Sequence, residues 1–191
     1  MSDLQVLLKE LNSGDETRAE KAVPALIELG EEAIPALLDL TNSADVDTRW
    51  WALRTLAQSP LAQTVWLVPF LNDPAAEVRQ CAVLGLANRP DESATSPLVQ
   101  ALSDEDTLVG NLAVKALVNI GKPAVPSLIE KVKSASHLAR ILALRALVEI
   151  SDPRAIPVMM QVMEEDSALL QHWAKEGLER LGLDMVYMKP E

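Results

Sequence analysis

The sequence predicts an all-α protein, a right-handed α-solenoid of six two-helix repeats, and three observations carry that prediction. The first is a period. A slot filled by Ala19, Arg49, Arg79, Gly110, Arg140 and Gln171 recurs in steps of 30 or 31 residues, the self-similarity of a stacked array. The second is a pair of invariant columns: Ala22, Ala52, Ala82, Ala113, Ala143 and Ala174 follow the slot by three residues, and Leu26, Leu56, Leu86, Leu117, Leu147 and Leu178 by seven. The third is composition. Apolar residues make up 49% of the 191 and aromatics only 3%, so the core must be Ala, Leu and Val, which suits closely packed helices. We expect residues 1–182 to form one continuous array and 183–191 a tail, in which Met185, Val186, Tyr187 and Met188 are apolar or aromatic.

Each repeat contains two amphipathic segments. The first is typified by Ile34-Pro35-Ala36-Leu37, Ser96-Pro97-Leu98-Val99, Val125-Pro126-Ser127-Leu128 and Ile156-Pro157-Val158-Met159. Proline there reads as a first-turn residue, where its missing N–H costs nothing. The third repeat departs from this, with Trp66 in the proline slot and Pro69 one turn later, which predicts a kinked or late-starting helix. The second segment follows polar stretches such as Asn72-Asp73-Pro74 and Ser103-Asp104, the expected caps. It stops at Gly30, Pro60, Pro90, Gly121, Ser151 and Gly182, giving twelve helices. At 100° per residue, positions three, four, seven, eight and ten after the slot share one face and form the core. In the last repeat two of these turn polar, Lys175 and Glu179, as expected of a terminal repeat with no neighbour to cover it. At the other end Leu4, Leu7, Leu8 and Leu11 make one stripe behind a Ser2/Gln5 capping box.

Charge and chemistry narrow the function. A net charge of −11 opposes general nucleic-acid binding, which needs a basic footprint. No apolar run reaches the length of a membrane span and no export signal opens the chain, so neither membrane nor secretion is indicated. The single Cys81 excludes an internal disulfide and fits a reducing cytoplasm. There is no Cys-x-x-Cys, no phosphate loop and no clustered His and carboxylate at metal spacing. We therefore expect no catalytic residue, metal or cofactor. The acid pairs Glu31-Glu32 and Glu164-Glu165 read as solvated charge in turns.

The most exposed positions of the second helices, by angle, are one, two, five and nine after the slot. The second of these columns reads Lys21, Trp51, Cys81, Leu112, Leu142 and Trp173, and the first contributes Trp50, Ile141 and His172. A solvated face would be Glu, Lys and Gln, so this apolar stripe predicts a partner-binding groove, with tryptophans as anchors. The fifth column adds Arg54, Leu84, Lys115 and Arg145, three cations in an acidic protein, suited to a carboxylate-bearing ligand or an acidic segment. Ordinary pairing of these cations, Arg145 with Glu149 for example, is the competing reading. With packed helices about 8–10 Å apart, Trp51 and Trp173 should stand about 30–40 Å apart. A protein segment spans that; a small molecule uses one end.

The run Asp73-Pro74-Ala75-Ala76-Glu77-Val78-Arg79-Gln80-Cys81-Ala82-Val83-Leu84-Gly85-Leu86 resembles the HEAT-repeat family, in particular the short repeats of phycobilisome lyase proteins, and the likeness extends over about residues 1–182. The resemblance implies a HEAT-like solenoid in which Arg49, Arg79 and Arg140 bond to acids or carbonyls of a neighbouring repeat. It also brings a choice of functions. Such proteins include passive scaffolds, bilin lyase subunits acting on phycobiliproteins, DNA glycosylases and a metal-dependent hydroxylase. The hydroxylase needs His-Glu pairs, and neither His137 nor His172 precedes a glutamate. Our first reading is a non-catalytic cytoplasmic scaffold that binds a protein segment in the groove. The alternative is a bilin lyase-like or bilin-handling protein in which Trp50, Trp51, Arg54 and Cys81 cradle a pigment, with arginine on its propionates.

Overall fold

The computed structural model describes residues 2–165 and 167–183, and over them the protein is an all-α fold of the solenoid class. Twelve α-helices and no strand occur among the described residues. The chain divides between Arg89 and Pro90 into two compact units. The first holds α1 (Asp3–Leu11), α2 (Glu16–Glu28), α3 (Ile34–Leu40), α4 (Val46–Gln58), α5 (Thr64–Leu67) and α6 (Ala76–Ala87). The second holds α7 (Thr95–Ala101), α8 (Thr107–Ile120), α9 (Val125–Ser134), α10 (His137–Ile150), α11 (Ile156–Met163) and α12 (Ala168–Arg180). The tail residues Met185, Val186, Tyr187 and Met188 lie outside the described residues.

The invariant columns are the core. All six alanines and all six leucines are at most 2% exposed. In the first unit Leu11, Val23, Leu26, Leu37 and Leu56 form one cluster, with Leu4, Leu7, Leu8, Trp51 and Trp66 packed against it. The third repeat behaves as its prolines require. Its first helix, α5, lasts one turn and passes into a 3-10 segment, Val68–Asn72, with Pro69 in that segment's first turn. In the last repeat Lys175 and Glu179 are exposed and pair with each other at 3.7 Å.

Helix starts are set by aspartates more than by the residues first singled out. Asp15, Asp45 and Asp106 accept from the backbone N–H groups of Arg18, Thr48 and Val109. Asp104, an expected cap, instead accepts the Asp106 N–H at 2.8 Å and shapes the turn ahead of α8. Ser2 caps α1 by accepting from Gln5 N at 3.4 Å. The helix stops rest on left-handed backbone, with Gly121 at φ +77° after α8 and Ser151 at +54° after α10. Serine there bears a Cβ clash that glycine avoids.

Two of the slot arginines, Arg49 and Arg140, bond across to the next repeat. Arg49 donates from Nε and one terminal nitrogen to both carboxylate oxygens of Asp73 at 2.9 Å each, and from the other to the Ser43 and Ala44 carbonyls. Burial pushes the Asp73 carboxyl up, but the Arg49 hydrogen bonds, the Ala75 N–H and the charges of Arg49 and Arg79 outweigh it and hold it below the usual carboxylate range. Arg79 donates to the Asp73 and Pro74 carbonyls of its own repeat. In the second unit Arg140 bonds the Val132 carbonyl and the Glu165 carboxylate, so Glu165 is a structural partner and not the solvated charge expected. Gln171, lacking charge, fills the same slot by donating to the Met163 and Glu165 carbonyls.

Candidate functional site

In the first unit the exposed positions of α4 and α6 converge on one pocket of about 330 Å³, lined by Trp50, Arg54, Ala57, Gln58, Glu77, Gln80, Cys81, Leu84, Gly85 and Asn88. Gly85 lets the two helices close at its base. A Cβ there would stand 2.8 Å from the Ala57 Cβ, inside any real contact. One wall is Trp50. Trp50 and Trp51 meet edge-to-face with centroids 4.9 Å apart and planes at 83°, the arrangement that their quadrupoles favour. The Arg54 guanidinium carbon lies 5.2 Å from the Trp50 centroid and 5.0 Å from that of Trp51, within cation–π range of both.

At this end the structure favours the pairing reading for one cation and corrects the expected exposure of the cysteine. Arg54 is not a free cation: it donates to both carboxylate oxygens of Glu20 on α2, at 2.5 and 2.8 Å. Cys81 is not on an open face. It is buried, and burial pushes its thiol up to about 12 against a smaller opposing pull from the Arg54 charge. At neutral pH it is a small apolar element of the pocket with no thiolate to offer. Leu84, by contrast, is 45% exposed at the same pocket. Trp51 turns partly away, packing on the core and lining, with Trp50, a second and more polar pocket beside Ser13, Asp45 and Thr48.

The second unit carries the remaining predicted residues and arranges them otherwise. Ile141 and Leu142 are buried. Leu142 sinks towards α8 because the slot there is glycine; a Cβ on Gly110 would stand 3.0 Å from the Leu142 Cδ1. Leu112 is half-buried and Lys115 exposed. Arg145 forms no pair of the expected kind with Glu149; it donates to Asn111 Oδ1 at 2.8 Å and lies 5.6 Å from the Trp173 centroid. His172 is exposed, edge-on to Trp173 at 5.5 Å and 4.0 Å from Glu176.

Sequence reading missed two groups. Glu20 follows the first slot by one residue, and Arg54 follows the second by five, so the ion pair spans 34 residues; Arg145 and Asn111 repeat that spacing. One repeat plus one helical turn is thus a rung between successive second helices, and this arithmetic was available from sequence. The column two before the slot is also informative. It reads Thr17, Asp47 and Glu77 in the first unit but Leu108, Leu138 and Leu169 in the second, three leucines each about half exposed. Among the described residues no three His, Cys, Asp or Glu side chains are placed to hold a metal ion, and no single helix is long and apolar enough to cross a membrane.

Helix pairs stacked through alanine and leucine columns, latched by slot arginines, define an α-helical repeat protein of the solenoid class. The chain belongs to the HEAT-repeat family. The family model for HEAT repeats matches residues 64–135, and that for the PBS lyase HEAT-like repeat matches residues 139–165. It is 31% identical over 139 residues to the uncharacterized phycocyanin operon protein Z of Pseudanabaena tenuis, covering 68% of this chain and 69% of that one. It is 35% identical over 98 residues to the phycocyanobilin lyase subunit beta of the same organism, 51% of this chain and 35% of that protein. The chain spans half or less of the length of the phycobilisome maturation and lyase proteins it matches. Among solved structures, the complex of CpcE and CpcF of phycocyanin lyase from Nostoc superposes with a TM-score of 0.55 at 21% identity, over 81% of this chain and 66% of that one.

Proposed function

We propose that this protein is a bilin-handling HEAT-repeat protein of the lyase type, which holds part of a linear tetrapyrrole without bonding to it while a phycobiliprotein partner receives or gives it up. This takes precedence over the segment-binding scaffold that the apolar stripe favoured, because the relatives are phycobilisome and lyase proteins. The observation that carries it is the pocket of α4 and α6. Its volume of about 330 Å³ sits at the lower end of small-molecule sites, enough for part of the pigment, with the rest lying over Trp50 and Leu84. Trp50 offers a face for stacking, Arg54 a cation for a propionate, and Glu77, Gln58, Gln80 and Asn88 polar groups for ring N–H and carbonyl atoms. Cys81 is buried, with its thiol pushed up by that burial, which supports a holding role for this chain with the covalent chemistry on the client protein.

Mixing the purified protein with phycocyanobilin tests this. The pigment's absorption should shift on binding and return to that of free pigment after denaturation in acidic urea. Leu84→Trp, which fills the pocket from an exposed position, should abolish the shift. An unchanged spectrum at saturating pigment, or colour that stays with the denatured chain, contradicts the proposal.

A further inference from the structure

Glu20 occupies the group that a pigment carboxylate would need. Its two oxygens take both terminal nitrogens of Arg54, and among the described residues Arg54 is the one cation lining the α4–α6 pocket. The pair is poised for exchange. The Glu20 side chain is 56% exposed and that of Arg54 26%, and ion pairs so open to water are weak. The guanidinium has a second set of contacts that does not involve Glu20, its carbon lying 5.2 and 5.0 Å from the Trp50 and Trp51 centroids, within cation–π range. Removing the glutamate therefore leaves a positioned cation with a vacant fork. The fork geometry that Glu20 satisfies is the one that any carboxylate satisfies.

We infer that Glu20 is a built-in competitor, a carboxylate on α2 that exchanges with the ligand's carboxylate at Arg54. It thereby lowers the affinity of this pocket for carboxylate-bearing ligands and lets a held pigment leave. The inference rests on the pigment reading above and adds a device to it: retention is set by competition between two carboxylates for one arginine. In the resting protein, the gain from a new propionate–arginine pair is offset by the loss of the Glu20 pair, so the acid form of the pigment gains nothing from its charge.

The test compares phycocyanobilin with its dimethyl ester on the full chain, by absorption titration. On the unaltered protein the two should bind within about twofold of each other. On Glu20→Gln the acid should bind about threefold tighter or more, the ester unchanged. That range follows from the strength of exposed pairs. Arg54→Gln should bind acid and ester alike, and adding Glu20→Gln to it should change nothing further. Glu20 is exposed on the helix surface, so its amide variant should fold, which far-UV circular dichroism checks. If Glu20→Gln leaves the acid-to-ester ratio unchanged, or weakens the acid, the competitor role is overturned while the pigment reading stands. If no variant binds either form, both fall together.

Discussion

The two units share one repeat and spend it differently. In the first, the outward columns of α4 and α6 gather Trp50, Arg54 and Leu84 around a pocket whose base is the close contact of Gly85 with Ala57. In the second, the same columns turn inward at Ile141 and Leu142, and the exposed apolar residues include Leu108, Leu138 and Leu169 at the start of α8, α10 and α12. The glycines admit different neighbours. Gly85 brings two helices together beneath an open face, Gly110 in the slot lets Leu142 sink, and Gly177, six residues after its slot like Gly85, is filled by Met159 and Val148. A repeat with fixed alanine and leucine columns can therefore build a site or fill it.

Removing a latch should break the first unit far more than the second. Asp73 and Arg49 are both nearly buried, their side chains 5% and 10% exposed, so Asp73→Ala strands a buried guanidinium and should cost about 3–5 kcal/mol. Glu165 and Arg140 are more open to solvent, and Glu165→Ala should cost about 1 kcal/mol or less. Urea melts of the two variants check the contrast, and equal losses would mean that the latches are equivalent.

The two glycines should separate next. Gly85→Ala drives a methyl into Ala57 and should lose about 1–3 kcal/mol to overpacking, less up to about 1 kcal/mol returned by helix propensity. In Gly110→Ala the tight contact is with the end of a flexible side chain, Leu142 Cδ1 at 3.0 Å, the Leu102 and Ala101 carbonyls standing at ordinary distances of 3.7 and 3.8 Å, so the propensity gain should leave stability within about 1 kcal/mol of the parent. Gly85→Ala should also disturb pigment binding, since Gly85 lines the pocket.

The smallest effect concerns acid. In the second unit Asp152 accepts from Arg154 through side chain and backbone, and these bonds hold its carboxyl down to about 2. Its unfolded value is about 3.9. The stabilisation is therefore complete above the unfolded value and is lost as pH falls from about 4 towards 2. Asp152→Asn should be less stable than the parent at pH 7 and close to it near pH 2, read from urea midpoints at both. A gap that stays constant with pH would remove this residue from the acid response.

The fold was legible because it is periodic. Columns of Ala and Leu fix the buried face six times over, and Pro69 alone foretold the break of α5 into a 3-10 segment. The site was legible only in part. A helical wheel places Trp50, Arg54 and Leu84 outward correctly, but it cannot see that Gly110 draws Leu142 in, nor that Cys81 lies beneath its neighbours. It also treats each helix alone, whereas the Glu20–Arg54 bond joins two repeats. A charge on an outward column says nothing about its partner until the spacing of repeat plus turn is considered.

The central claim is that the pocket of α4 and α6, and not the tryptophan of the second unit, holds the pigment. Titrating phycocyanobilin into Trp50→Ala and Trp173→Ala, both first shown to be folded by thermal melts, tests it most directly. Trp50→Ala should raise the dissociation constant about tenfold or more, the loss of an aromatic hot spot, and Trp173→Ala should leave it within about twofold. The reverse order, or equal weakening by both, would contradict the account.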